Sequence, residues 1–492
     1  MKMPENQYKA PSIKTNIIIN TLYQILTVIT PFITAPYISR VLGSDGIGVY
    51  SYTSSYQMYF SLIAALGIAS YGTREIARKR NNEYERSKAF WEIQILKFLT
   101  SLLSLIGWGI FVYLNTKYKI IYIVLTMNLL STMFDVTWFF NGMEQFKYTV
   151  TRNTIIKILE IILIFLFIKQ KDDLILYIII MSGATLLGSI SIWLSLSAFL
   201  VKVPVKEFRL AHHFKETLIY FIPTIATSLY TILDKTLIGV ITQDENQNGY
   251  YEQANKILGI IKALVFTSLN TVLGSRISYL FEEKKIDEIK LRIEQSMNFI
   301  FLMGFGCCFG VIAVAPNFVP IFFGAGYEPV VGLLQLLSPV IIIIGVSGCL
   351  GSQYYTPAGL RGKSSIYIIT GSVVNIICNI IFIPKYASIG AAIGTLIAES
   401  VITILYLIFC NGYFTFKQIL FCSWKKVIAS LIMFFSIIIF GHITINALML
   451  LVLQIILGIL IYFLSLLILK DDFVITLLQK RISNKKRNSK NG

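Results

Sequence analysis

Charge is what this chain has least of. Only 14% of its 492 residues are Asp, Glu, Lys or Arg, where soluble globular proteins carry about 25%. With a hydrophobic fraction of 55% and a mean hydropathy of +0.70, that shortage excludes a soluble enzyme of two or three domains, although the length would allow one. Histidine is nearly missing: His212, His213 and His442 lie in or next to loops, and no metal cluster can be assembled from them. Cysteine is sparse. Cys307, Cys308, Cys349, Cys378 and Cys410 sit in apolar runs, Cys422 near one, and none forms a C-x-x-C pair. They read as small packing residues. With 32 Gly and 12 Pro the chain is neither collagen-like nor disordered. A phosphate-binding loop is absent too. Pro357-Ala-Gly-Leu-Arg-Gly-Lys-Ser364 has Pro where the first Gly belongs and follows an apolar run instead of a strand. The first apolar run, 16–38, is too long for a signal-peptide core and lacks a small-residue cleavage site.

What is present is apolar sequence in long runs. A spanning helix needs about 20 mostly apolar residues. Fourteen segments qualify: 15–39, 46–69, 91–113, 119–140, 153–168, 173–200, 215–241, 253–275, 293–315, 329–350, 364–383, 388–410, 425–440 and 447–469. They are too long for barrel strands, which alternate over about ten residues. The expected fold is therefore an all-α polytopic membrane protein. Its 43 Lys and Arg outnumber 26 Asp and Glu, a formal excess of +17. With both termini placed in the cytoplasm, 32 of the 43 basic residues fall on the cytoplasmic side and 6 outside, as the positive-inside rule requires. Losing one span would invert every later loop and mix the two classes.

The chain is expected to comprise a cytoplasmic tail (1–14), an N-lobe (15–200), a cytoplasmic linker (201–214), a C-lobe (215–410), two extra spans (411–469) and a basic cytoplasmic tail (470–492). The lobes echo one another. Arg40-Val-Leu-Gly43 is followed by Gly48 and Tyr50, and Lys235-Thr-Leu-Ile-Gly239 by Gly249 and Tyr251. Six spans separate the partners, so the repeats run parallel, about an axis along the membrane normal.

Charges inside spans are expensive in hydrocarbon and face protein or water. They are Lys97, Asp135, Lys157, Glu160, Asp234, Lys235, Lys256, Lys262 and Glu399, with Arg40 at the outer end of the first span. Lys157 and Glu160 are three apart on one helix face and read as a structural ion pair. Lys262 and Glu399 are deep and have no partner on their own helices. The basic excess suits a cavity for an anionic substrate. Tyr52, Tyr56 and Tyr59 recur at helical spacing with Ser55 on the same face, offering rings and hydroxyls to a sugar or simply packing at the membrane interface.

These stretches resemble a known family. They are Ser39-Arg-Val-Leu-Gly-Ser-Asp-Gly-Ile-Gly-Val-Tyr50, Tyr71-Gly-Thr-Arg-Glu-Ile-Ala77, Trp138-Phe-Phe-Asn-Gly-Met-Glu144, Asp234-Lys235, Gly249-Tyr-Tyr-Glu-Gln-Ala254, and Asn375, Asn379, Pro384, Gly390 and Gly394. In order and placement the chain resembles the Wzx-type polysaccharide flippases of the multidrug/oligosaccharidyl-lipid/polysaccharide exporter superfamily. The resemblance implies two six-helix lobes around a central cavity plus two C-terminal spans, in the bacterial cytoplasmic membrane. It implies alternating-access export of undecaprenyl-pyrophosphate-linked oligosaccharide for capsule, O-antigen or another surface polysaccharide, with a polysaccharide polymerase machinery as a partner in the same pathway. Arg40, Lys97, Lys235 and Lys262 would then meet the pyrophosphate, and Tyr52, Tyr56 and Tyr59 the glycan. Asp135, Asp234 or Glu399 would bind a coupling proton or sodium ion, and no cofactor is implied. A flippase for lipid II or a teichoic-type precursor is the alternative within transporters. A drug or cation antiporter should have an acidic cavity, which this chain lacks. A membrane-embedded glycan polymerase or ligase is expected to place its catalytic residues on a sizeable outer loop, and the outer loops here are short.

Overall fold

The computed structural model describes residues 13–441, 443 and 446–479, and all described elements are helical. Side chains at 13–20, at 22 and in parts of 222–230 and 264–278 lie outside that description, as do His442 and the basic tail from 480 onward. Among the described residues, nine helices are long and apolar enough to cross a membrane. Their outward faces are apolar, as at Leu103, Tyr113 and Ile468, which is what a lipid surround accepts and water does not. The chain is a multi-pass integral membrane protein. Its backbone divides into two units, Met1–Gly249 and Tyr250–Gly492.

The first unit begins with α1 (Ile13–Ala65), which carries Pro31 and Pro36 and breaks at Gly43, where φ is 73° and ψ 174°. Glycine accepts that backbone and a side-chain-bearing residue resists it. The expected segments 15–39 and 46–69 are the two arms of this broken helix. Then comes α2 (Ile68–Lys79), short and amphipathic, burying Ile68, Tyr71 and Ile76. α3 (Glu83–Leu114) starts where the Asn82 side chain accepts from the Tyr84 and Glu85 N–H groups, a cap worth about 1 kcal/mol. α4 (Lys119–Phe134) and α5 (Thr137–Gly142) divide the expected 119–140 segment at Asp135. The unit continues through α6 (Phe146–Phe167), α7 (Leu174–Ser191), α8 (Leu210–Thr242) and the first residues of α9 (Glu245–Glu282). The boundary between units falls within α9, after Gly249.

In this unit α4 lies along α7, and α1 packs on α3, α4, α6 and α8. One core cluster joins Tyr71 and Ile76 of α2 to Phe90 of α3 and to Trp138, Phe139 and Phe140 of α5. The Phe90 and Trp138 rings stack at 5.6 Å between centroids. Two of the stretches quoted for the family resemblance are therefore partners in one aromatic core, each buried ring contributing about 2–3 kcal/mol. The echo between lobes also has a physical form. A Cβ on Gly48 would collide with the Glu245 carbonyl, four residues before Gly249. A Cβ on Gly249 would collide with the Ser44 carbonyl, four residues before Gly48. The two glycines make one reciprocal backbone contact, and Ser44 Oγ donates to Asn246 Oδ1 at 2.6 Å beside it.

The second unit contains the rest of α9, α10 (Ile286–Phe323), α11 (Pro329–Leu337), α12 (Val340–Leu350), α13 (Arg361–Ile408), α14 (Phe416–Phe440) and α15 (Ala447–Ile468). α13 breaks at Ala387, with φ at 51°, so 364–383 and 388–410 are its arms. α14 opens with a capping box between Thr415 and Gln418, well ahead of the expected start at 425. Its second turn onward packs into the unit, and Lys426 there is 1% exposed. Its ammonium donates to Asp471 Oδ2 at 3.0 Å, Asn298 Oδ1 at 3.0 Å and the Cys422 carbonyl at 2.7 Å. The pair anchors the chain just beyond α15 to α10 and α14.

Candidate functional site

The second arm of α1 turns a hydroxylated face toward α8. Ser55 Oγ lies 2.8 Å and Tyr59 Oη 3.0 Å from Thr236 Oγ1, and the hydroxyls of Tyr52 and Tyr56 are 3.1 Å apart. Helical spacing brings these groups onto one stripe, and the result is a polar seam through an apolar bundle. The rings have neighbours of their own. Tyr52 and Tyr56 meet edge to face at 5.2 Å, Tyr56 lies 5.0 Å from Phe111, and Tyr122 closes on both Tyr56 and Phe111. All three tyrosines remain half-buried, so each keeps an open edge.

In the same unit, the break between α4 and α5 is a built polar feature. Asp135 has φ −69° and ψ 117°, which ends the helical ladder. A broken helix leaves carbonyls without intrahelical partners, and in a membrane each must be satisfied by protein. Three successive carbonyls are. Met133 O accepts from Gln94 Nε2 at 2.9 Å, Phe134 O from Trp193 Nε1 at 2.7 Å, and Asp135 O from Lys97 Nζ at 2.6 Å. The Asp135 carboxylate lies 3.8 Å from Lys97 Nζ. It also accepts from the Thr137 N–H at 3.1 Å and the Thr137 hydroxyl at 2.5 Å. Arg152 Nη2 approaches the same hydroxyl at 3.4 Å.

Lys97 and Asp135, expected in separate roles, thus form one cluster. Lys97 is buried and the Asp135 side chain is 36% exposed, so the carboxylate is the member open to a ligand. Gln94, Trp193 and Arg152 were not singled out in the sequence. Their signal was weak, since a neutral amide, an indole and a loop-edge cation carry no pattern of their own.

The remaining residues are dispersed. Lys157 Nζ lies 2.8 Å from Glu160 Oε1 within α6, the two residues read from their spacing as an ion pair. Arg40 is exposed near the end of the first arm of α1, Asp234 is buried in α8, and Lys235 beside it is half-buried. In the second unit Lys262 is half-buried, Glu399 is buried, and the charge of Glu399 acts on Lys262. Lys256 approaches Glu252 at 3.9 Å.

Two further polar groups centre on His213 and Glu245, which lie outside the expected spans. At the start of α8, His213 Nε2 is 2.9 Å from Glu92 Oε2 and Nδ1 is 2.6 Å from the Tyr71 hydroxyl. Burial holds this imidazole below its ordinary value, against the opposing pull of Glu92. At the other end, Glu245 accepts from the Tyr118 hydroxyl at 2.5 Å and from Lys117 at 2.9 Å. Those hydrogen bonds hold its carboxyl down to about 2.

The sequence profile of the family described as "Polysaccharide biosynthesis protein" matches residues 13–281. A relative in Escherichia coli (strain K12), named "Putative O-antigen transporter", is 24% identical over 407 residues, covering 82% of this chain and 97% of the relative. Among solved structures, the inward closed conformation of the lipid II flippase MurJ has a TM-score of 0.73 at 19% identity, covering 94% of this chain and 99% of that one. An inward-facing multidrug transporter of the MOP superfamily has a TM-score of 0.56 at 14% identity, covering 80% of this chain. At these identities the structural likeness shows the fold. Each of these relatives is named for transport or flipping, and none for catalysis.

Proposed function

The chain belongs to the polysaccharide biosynthesis protein family, and on that premise we propose that it moves undecaprenyl-pyrophosphate-linked oligosaccharide from the inner to the outer leaflet of the bacterial cytoplasmic membrane by alternating access. The observation that carries the proposal is the hydroxyl and tyrosine seam of Tyr52, Ser55, Tyr56, Tyr59 and Thr236 inside a membrane bundle. Such a seam suits a hydroxyl-rich cargo that hydrocarbon rejects. Arg40, Lys235 and Lys262 are the cations assigned to the pyrophosphate. Lys97 is assigned a supporting part, because its ammonium already serves the helix break. Asp135, Asp234 and Glu399 are the acids assigned to a coupling proton or sodium ion. We infer fourteen crossings with both termini cytoplasmic. The breaks at Gly43 and Ala387 support that count, since each turns one continuous helix into two arms of spanning length. A polysaccharide polymerase is the natural consumer of the delivered unit.

The deciding experiment is reconstitution of the purified chain in liposomes with a fluorescent lipid-linked oligosaccharide, scored by its appearance in the opposite leaflet. Lys262→Ala is expected to slow that transfer by roughly tenfold or more, the loss of one charge-assisted contact. Wild-type protein that leaves the donor in its original leaflet would overturn the proposal. Movement of lipid II at an equal or higher rate would favour the other flippase reading.

A further inference from the structure

Within the first unit, where the second arm of α1 meets the turns before α4 and α9, lies a cavity of about 470 Å³. We propose that this cavity is a binding subsite for an uncharged sugar ring on the outer face of the protein, separate from the cations assigned to the pyrophosphate. The placement outside rests on the topology and carrier reading given above.

Three observations carry it. The walls are aromatic with hydroxyls: Tyr52, Tyr118 and Tyr122 line it, and sugar rings present apolar faces that pack on such rings. Its polar groups are not all spent. Asn248, 1% exposed, lines the cavity, and neither its amide nitrogen nor its amide oxygen has a hydrogen-bond partner among the described residues. A buried amide without partners loses its hydration with nothing in return, so a site that keeps one is shaped for a ligand that supplies both a donor and an acceptor. A vicinal pair of sugar hydroxyls does that. The Tyr122 hydroxyl likewise makes no hydrogen bond among the described residues, and Asn115 and Gln243 add further amides to the wall.

Charge then narrows the ligand. The carboxylates of the cavity are engaged already: Asp244 accepts from the Asn246 N–H at 3.0 Å and caps the start of α9, and Glu245 is held by Lys117 and Tyr118. One lysine faces two carboxylates, so the cavity is net acidic. That balance repels a pyrophosphate or a uronic acid and admits a neutral pyranose. The volume falls within the usual range for small-ligand sites, about 300–1,000 Å³, and accommodates one or two rings. In a carrier, such a subsite would hold the glycan once it has crossed and draw the exchange outward.

The test uses the full chain in lipid nanodiscs and saturation-transfer NMR with methyl glycosides of glucose, galactose and N-acetylglucosamine, with methyl glucuronide as the anionic control. Neutral glycosides are expected to receive saturation and the glucuronide not. Tyr122→Phe should weaken binding by about tenfold, one hydrogen bond's worth, and Asn248→Leu should abolish it. Should Asn248→Leu fail to fold, Tyr122→Phe decides alone. Absence of saturation for every neutral glycoside, or signals unchanged in the variants, overturns the subsite. Liposome transfer run in parallel separates the two proposals. Transfer without glycoside binding removes the subsite and keeps the carrier, and binding without transfer does the reverse.

Discussion

Each unit buries a lysine against an aspartate, and the two pairs are opposites. In the second unit Lys426 and Asp471 lie 3.0 Å apart, both buried, and all three ammonium hydrogens have acceptors. In the first unit Lys97 and Asp135 lie 3.8 Å apart, the ammonium binds chiefly a backbone carbonyl, and the carboxylate is over a third exposed. The first arrangement is closed: every polar atom is answered, and nothing is left to offer a ligand. The second is open, because the lysine is occupied in holding a helix break and the aspartate keeps a face toward solvent or cargo. Charge pairs of identical chemistry thus divide into anchor and site according to what else surrounds them.

The largest expected effect breaks the anchor. Lys426→Ala leaves Asp471 buried without a counter-charge, which costs about 3–5 kcal/mol. A sharp fall in thermal unfolding temperature and in folded yield is expected, and Lys426→Met with Asp471→Leu together should recover most of it. A single variant as stable as the wild type would show that the anchor carries no weight.

The break in the first unit should respond differently. Lys97→Ala removes the donor to the Asp135 carbonyl, a loss of about 1–3 kcal/mol. Asp135→Asn keeps the acceptor for Thr137 and should cost less than about 1 kcal/mol. For both, transfer of the lipid-linked donor is expected to fall further than stability does. Equal falls in the two readouts would reduce the open pair to another anchor.

The smallest effect is a pH dependence, read at the His213 cluster, where Glu92, Glu75, Lys79 and Tyr71 face or act on the imidazole. The folded ring binds its proton less readily than the unfolded chain does. Its contribution is therefore complete above the unfolded value of about 6.5 and is lost as pH falls from there toward the folded value. Thermal scans should decline modestly between pH 7 and pH 5.5, and His213→Gln should flatten that decline. The Glu245 corner, with its carboxyl held down to about 2, should hold through the same window. Its contribution is present above the ordinary carboxyl range and lost only as pH falls toward 2. A decline that survives His213→Gln would assign the acid sensitivity elsewhere.

Much of the fold was legible in the chain because lipid imposes a simple demand on apolar length. The runs 15–39 and 46–69 predicted two arms, and α1 supplies them around Gly43. The Gly48 and Gly249 echo was legible as a repeat, though not as a contact. Lys97 and Asp135 were legible as charges inside spans, but their pairing was not, since they sit on α3 and past the end of α4. Lys426 and Asp471 were counted among the cytoplasmic charges, and their meeting across 45 residues in a buried pair left no local signal.

By itself the sequence determined that this chain lives in a membrane and which of its runs are apolar enough to cross one. Each of those follows from transfer free energies summed over contiguous residues. Tertiary structure alone decided which charges meet, which carbonyls a lysine must satisfy, and which amide lines a cavity without a partner among the described residues. Those outcomes depend on ångström distances between side chains far apart in the chain, and no local pattern encodes them.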